Sequence, residues 1–225
     1  MNDKIADKYR PFKAVIFDAD GVVIDTQSIY LKADSAFLNN HNVNANSQEF
    51  EHLLTGVSLE NGTKILQDLF KIQGNPGALL QERINTIKTF YKKISFVPGF
   101  LNFFADIKAL YKTAVATSSN TELFTIAEKE LNLHKLFDGH IYFLKDVGNI
   151  SKPAPDIYLH AAKQLGTEPV ECLVIEDAPN GILAAKNAGM KCVALATTHD
   201  AALLKGADKI VKSYAEINLD KFLTQ

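Results

Sequence analysis

Four short polar groups in this 225-residue chain carry the residue types of phosphate and metal chemistry. FDADG supplies Asp18 and Asp20, two residues apart, and ATSSN supplies Thr117, Ser118, Ser119 and Asn120. ISKPAPD supplies Lys152, and VIEDAPNG supplies Glu176 and Asp177. Each group alone has an ordinary structural use: Asp, Ser and Thr form turns and cap helices, and a lone lysine is most often solvated. Brought together, the carboxylates repel one another and need a counter-charge. A hard divalent cation with oxygen ligands supplies it, and Mg²⁺ is the usual partner of phosphates. The six histidines show no metal-ligand spacing and receive no role.

The elements that must position these residues are legible as short apolar runs. Lys13 to Asp18, Tyr111 to Ser118, Gly139 to Leu144, Glu171 to Asp177 and Lys191 to Thr197 read as buried strands, with Ala207 to Val211 as a sixth. Helical patterns separate them. TELFTIAEKELNL is one; PDIYLHAAKQLG opens with Pro155 in its first turn and stops near Gly166; APNGILAAKNAG stops near Gly189. Alternating strand and helix predict a Rossmann-like, doubly wound parallel α/β sheet. In such sheets ligands gather at the C-terminal strand ends, where the polar groups fall.

The segment 25–96 breaks the rhythm. SIYLKADSAFL, LENGTKILQDLF and LLQERINTIKTFYKKI are amphipathic helices, while NNHNVNANS and QGNPG read as turns. The expected organisation is an α/β core from 1–24 and 97–225 with a helical cap, 25–96, inserted after the first strand. PGFLNFFADIKAL opens the return to the core.

Composition narrows the partners. Apolar residues make up 47% and charged residues 22%, and 24 Lys plus Arg face 26 Asp plus Glu, for a net charge of −2. This lacks the basic bias of a nucleic-acid binder. The beginning MNDKIADKYRPF is polar and not a signal peptide, and no apolar stretch reaches the ~20 residues of a membrane span. A cytoplasmic location is expected. Cys172 and Cys192 lie inside apolar runs and read as buried free thiols. Oligomeric state is not encoded legibly.

FDADG, ATSS, SKPAPD and VIEDAPNG, in this order, resemble the four motifs of the haloacid dehalogenase superfamily across essentially the whole chain. The cap insertion between the first two resembles the subgroup with β-phosphoglucomutase and phosphoglycolate-type phosphatases. Ala19 departs from the more usual Leu. The resemblance implies that Asp18 is a nucleophile forming an aspartyl-phosphate and that Asp20 protonates the leaving oxygen and then activates water. It further implies that Thr117, with Ser118 beside it, binds the phosphoryl oxygens and that Lys152 neutralises charge. Asp177 would bind Mg²⁺ with the Asp18 carboxylate and the Asp20 carbonyl, and Glu176 would ligate directly or hold a metal-bound water.

The implied activity is hydrolysis of a small phosphorylated metabolite. A metal-free dehalogenase and a phosphonatase are disfavoured, because both lack a carboxylate matching Asp20. A phosphomutase and a silent binding module remain as rivals. Against the mutase, the subgroup's hinge His falls on Tyr30. The mutase's cap Arg falls on Leu59, although Gly56, Val57 and Ser58 match; Lys64, Arg83, Lys92 or Lys93 could replace that clamp.

Overall fold

The structure, a computed structural model, describes residues 12–54 and 57–219. The N-terminal residues 1–11, Gly56 and the last residues of the expected core lie outside the described residues. All six expected strands form: β1 (Ala14–Phe17), β2 (Lys112–Thr117), β3 (Ile141–Phe143), β4 (Cys172–Glu176), β5 (Lys191–Leu195) and β6 (Lys209–Val211). They make one sheet in the order β3-β2-β1-β4-β5-β6, and every pairing is parallel. The order reverses direction at β1, so the crevice beyond β1 and β4 is the topological switch point.

Side-chain alternation along the strands explains why the two faces differ. Val15, Phe17, Val115, Leu173, Ile175, Val193 and Leu195 enter one core, built largely of aromatic and branched side chains. There Phe17 stands against Phe100, Phe103, Phe104 and Phe137, with ring centroids 5.7 to 6.4 Å away. These rings come mainly from α5 (Phe100–Lys108) and the end of α7 (Leu133–Leu136); α6 (Thr121–Leu131) completes this layer. Ala14, Ala114, Ala116, Cys172, Cys192 and Ala194 point the other way. Against these small residues lie Ala161 and Ala162 of α8 (Asp156–Leu165) and Ala184 and Ala185 of α9 (Pro179–Asn187). Both cysteines are free and buried, serving as small apolar residues.

The inserted segment contains α1 (Gln27–Asn40), α2 (Ser47–Leu54), α3 (Leu59–Phe70) and α4 (Pro76–Tyr91). Local signals place three of them. Ser58 caps α3 through Asn61 N, Asn75 caps α4 with Pro76 in its first turn, and α1 continues the amphipathic run from Ser28. Helix α2 has no counterpart in the sequence reading. It is short and is held by tertiary packing, with Phe50 edge-on to Phe70 at 5.4 Å. A separate small core of Phe37, Leu38, Phe50, Leu66, Ile72 and Leu79 holds the four helices together. The chain leaves and re-enters the α/β layers through paired segments: Ile24 bridges Phe96 antiparallel, Asp25 N donates to Ser95 O and Val97 N to Val23 O. Among the described residues no helix is long and apolar enough to cross a membrane.

Candidate active site

Strand β1 ends one residue before Asp18, and β4 ends on Glu176. Parallel pairing of Phe17 with Ile175 therefore delivers the two acidic groups to one edge of the sheet. Gly21 adopts φ +71°, turning the chain sharply after Asp20, and a Cβ there would overlap the Asp177 carboxylate. Lys152 arrives from the loop ahead of α8. Its ammonium donates to Asp18 Oδ1 at 2.5 Å and to Glu176 Oε1 at 2.8 Å, and it lies 4.7 Å from the Tyr158 ring centroid.

Glu176 is fully engaged. Oε1 also accepts from Tyr158 Oη at 2.9 Å, and Oε2 accepts from the main-chain N–H groups of Asp177 and Ala178 at 2.8 and 2.9 Å. Gly181, in the first turn of α9, leaves the space that this carboxylate fills. Burial alone would raise the Glu176 carboxyl, but Lys152 and these donors hold it below its ordinary value. Burial alone would lower the Lys152 ammonium, but Asp18 and Glu176 hold it above the usual lysine range.

The other carboxylates move the opposite way. Burial raises Asp18 to about 7; Lys152 opposes the shift, while Glu176 and Asp20 add to it. Asp177 is pushed well up by burial and by the charges of Glu176 and Asp18. Burial also raises Asp20, against hydrogen bonds from Ser119 and Thr26. Four carboxylates thus share one ammonium, and the negative charge is in surplus.

Asp18, Asp20, Ser118, Lys152, Glu176 and Asp177 all line one cavity of about 640 Å³ between the sheet edge and the inserted helices. Thr117 does not line it. Its hydroxyl packs against Ser119, 2.6 Å from Ser119 Oγ, and accepts from Ser119 N at 3.0 Å. Within this loop Ser119 is the residue that reaches Asp20, donating to Oδ2, while Asn120 caps α6. Thr198, beyond β5, donates to Asp177 Oδ2. Sequence reasoning found the loop of Ser119 but not its contact, and it carried no signal for Thr198 or for Tyr158, whose helical spacing reads as core.

The surplus charge resides on carboxylate oxygens, which suits a hard cation. Among the described residues no three His, Cys, Asp or Glu side chains cluster as a ready metal cage. The expected set needs only two carboxylates, Asp18 and Asp177, with the Asp20 carbonyl.

An all-parallel sheet with acidic strand ends at its switch point, a lysine between them and helices above the cavity defines an α/β enzyme built to handle an anionic group. The sequence profile of the haloacid dehalogenase-like hydrolases matches residues 15–195. The chain belongs to that family and is a hydrolase. It is 28% identical over 214 residues to the bifunctional riboflavin kinase/FMN phosphatase of Arabidopsis thaliana, a match covering 92% of this chain and 55% of that protein. It is 29% identical over 182 residues to the phosphorylated carbohydrates phosphatase of Thermotoga maritima, covering 80% and 82% of the two chains. A HAD family hydrolase from Deinococcus radiodurans, solved with bound phosphate and sodium, matches with a TM-score of 0.80 at 26% identity, over 92% of this chain and 93% of that one.

Proposed function

We propose that the chain is a phosphatase that hydrolyses a small-molecule phosphate monoester through an aspartyl-phosphate on Asp18. The observation that carries this reading is the Lys152 ammonium held between Asp18 and Glu176 at the switch point, with Asp20 two residues beyond the nucleophile. A carboxylate is a weak nucleophile, so positioning and charge neutralisation must do most of the catalysis. Asp18 attacks phosphorus in line. Lys152 offsets charge on Asp18 and on the transferring group, and Ser118 faces the same cavity. Asp20, whose raised carboxyl retains a proton closer to neutrality, gives that proton to the leaving alkoxide. It then takes one from the water that hydrolyses the aspartyl-phosphate.

Asp18, Asp177 and the Asp20 carbonyl are the residues that would hold Mg²⁺, which when bound would neutralise the surplus charge and polarise the phosphoryl group. The four hydrogen bonds on Glu176 support a role in fixing Lys152 over one as a direct ligand. Helices α1 to α4 act as the cap, covering the site and excluding water. The test is hydrolysis of an aryl phosphate with Mg²⁺ and with chelator, in the wild type and in Asp18→Asn. We expect Mg²⁺-dependent release of phosphate that the substitution abolishes. Full activity in chelator, or more than about a tenth of the wild-type rate in Asp18→Asn, overturns the mechanism. No turnover of any phosphate ester favours the silent binding module.

A further inference from the structure

The roof of the cavity contains a buried ion pair that the catalytic steps do not use. Asp34 of α1 and Arg83 of α4 each have side chains only 4% exposed, and both line the cavity opposite the strand ends. Arg83 Nε donates to Asp34 Oδ1 at 2.7 Å and Nη2 to Oδ2 at 3.0 Å, a two-pronged arrangement. Nη1 donates to Leu59 O at 3.1 Å and to Thr63 Oγ1 at 3.4 Å. Gly62 makes room for it, since a Cβ there would lie 2.8 Å from Nη1. A guanidinium has five N–H donors, so one, on Nη2, is left over.

Among the described residues that line the cavity, Lys152 and Arg83 are the Lys and Arg side chains, and each is already paired with carboxylates. Lys64, Lys92 and Lys93, the other candidates for a second phosphate clamp, are exposed and do not line it. The Asp34–Arg83 pair is itself neutral, so an ester with a second phosphate or a carboxylate would find no uncommitted Lys or Arg among the described residues lining this end of the cavity. A hydroxyl group fits better: Asp34 retains lone pairs to accept from it, and Nη2 retains one hydrogen to donate. Tyr30, Leu31, Phe50, Leu54 and Leu59 supply apolar surface beside the pair, matching the C–H face of a polyol.

We propose that the Asp34–Arg83 pair makes the cap select the phosphate monoester of an uncharged polyhydroxy alcohol and reject esters that carry a second anionic group. The proposal rests on the phosphatase reading above and adds the substrate class and the residues that enforce it. Replacing Asp34 frees the guanidinium and leaves a net positive charge where the pair was neutral, so it offers a second anionic group the cation it otherwise lacks.

The test compares kcat/KM for a hexose monophosphate, the corresponding hexose bisphosphate and phosphoglycolate in the wild type and in Asp34→Asn. The wild type should favour the monophosphate by about tenfold or more over the other two. Asp34→Asn should move the bisphosphate-to-monophosphate ratio by about tenfold or more towards the bisphosphate. Equal or better use of the bisphosphate by the wild type overturns the proposal, as does an unchanged ratio in a folded Asp34→Asn protein. Should that variant fail to fold, the wild-type panel decides. An aryl phosphate control separates the two readings. If the wild type hydrolyses no ester at all, the thermal shift produced by monophosphate against bisphosphate still reads the charge preference of the cavity, and stronger stabilisation by the bisphosphate refutes it.

Discussion

Asp18 is only 8% exposed, yet the proposed chemistry needs it ionised among three other carboxylates. Its carboxyl rises from an ordinary 3.8 to about 7, chiefly through burial. Between those values the folded chain binds a proton that the unfolded chain releases. Stability therefore falls as pH rises from the lower value through the upper one, and the penalty is complete above it. Asp18→Asn removes that penalty. In chelator at about pH 8 the variant should melt higher than the wild type, and the advantage should shrink as pH approaches 4. Added Mg²⁺ should narrow the gap by stabilising the wild type alone. A variant that melts lower in chelator at the upper pH would contradict this account. Asp20 has a different part. Asp20→Asn leaves the main-chain carbonyl in place and should slow alkyl phosphate hydrolysis by about 10² to 10⁴. With a good leaving group, rapid quench should trap phosphoenzyme, because its hydrolysis has lost the base. An unaltered alkyl phosphate rate would remove Asp20 from the mechanism.

Helix α9 sets two local rules against each other. Alanine is favoured over glycine inside a helix by about 1 kcal/mol, so propensity alone expects Gly181→Ala to stabilise the protein. Packing argues otherwise, since the new Cβ would overlap the Glu176 carboxylate, which is buried and held by Lys152, Tyr158 and two main-chain donors. Displacing it disturbs a hydrogen-bonded charge network, a loss that exceeds the propensity gain. Gly181→Ala should lower the melting temperature and cut kcat by about tenfold or more by moving Lys152. Gly181→Ser should behave no better. A stabilised and fully active Gly181→Ala would show that Glu176 does not position the lysine.

The two layers meet through a continuous core and a narrow connection. Ile29, Ala33, Ile87 and Tyr91 of the inserted helices belong to the same cluster as Phe17 and Phe100, while the outer half of those helices has its own core. Lys88 of α4 also pairs with Glu122 of α6 at 2.5 Å across the divide. On the proposed reading the packing of the inserted helices favours hydrolysis over phosphomutase chemistry, because a mutase must keep water from the aspartyl-phosphate and grip a distal phosphate. Tyr30 at the hinge is bonded to Tyr91 at 3.4 Å, Leu59 has no charge, and Arg83 is committed to Asp34. Incubation with β-glucose 1-phosphate, Mg²⁺ and a trace of the 1,6-bisphosphate should release phosphate without forming glucose 6-phosphate. Glucose 6-phosphate appearing faster than free phosphate would favour the mutase.

The sequence by itself determined the sheet and its chemical edge. A parallel strand buried on both faces must be a short, nearly continuous apolar run, and AVIF, TAVA, CLVI and CVAL each satisfy that condition locally. Asp18, Thr117 and Glu176 sit at or just beyond such runs, so their gathering follows from parallel pairing. The partners that finish the site depended on contacts between residues far apart in the chain. Ser119 meets Asp20 across 99 positions and Arg83 meets Asp34 across 49. In the sequence both lie in amphipathic helical runs and Arg83 is only one of four candidate clamp cations; helix packing is what turns the two inward together. Thr117 shows the same limit: its position at a strand end is local, but the direction of its hydroxyl is set by the turn that brings Ser119 over it. Gly21 and Gly181 look like ordinary turn and helix glycines until the carboxylates occupy the volumes that their missing Cβ atoms leave open.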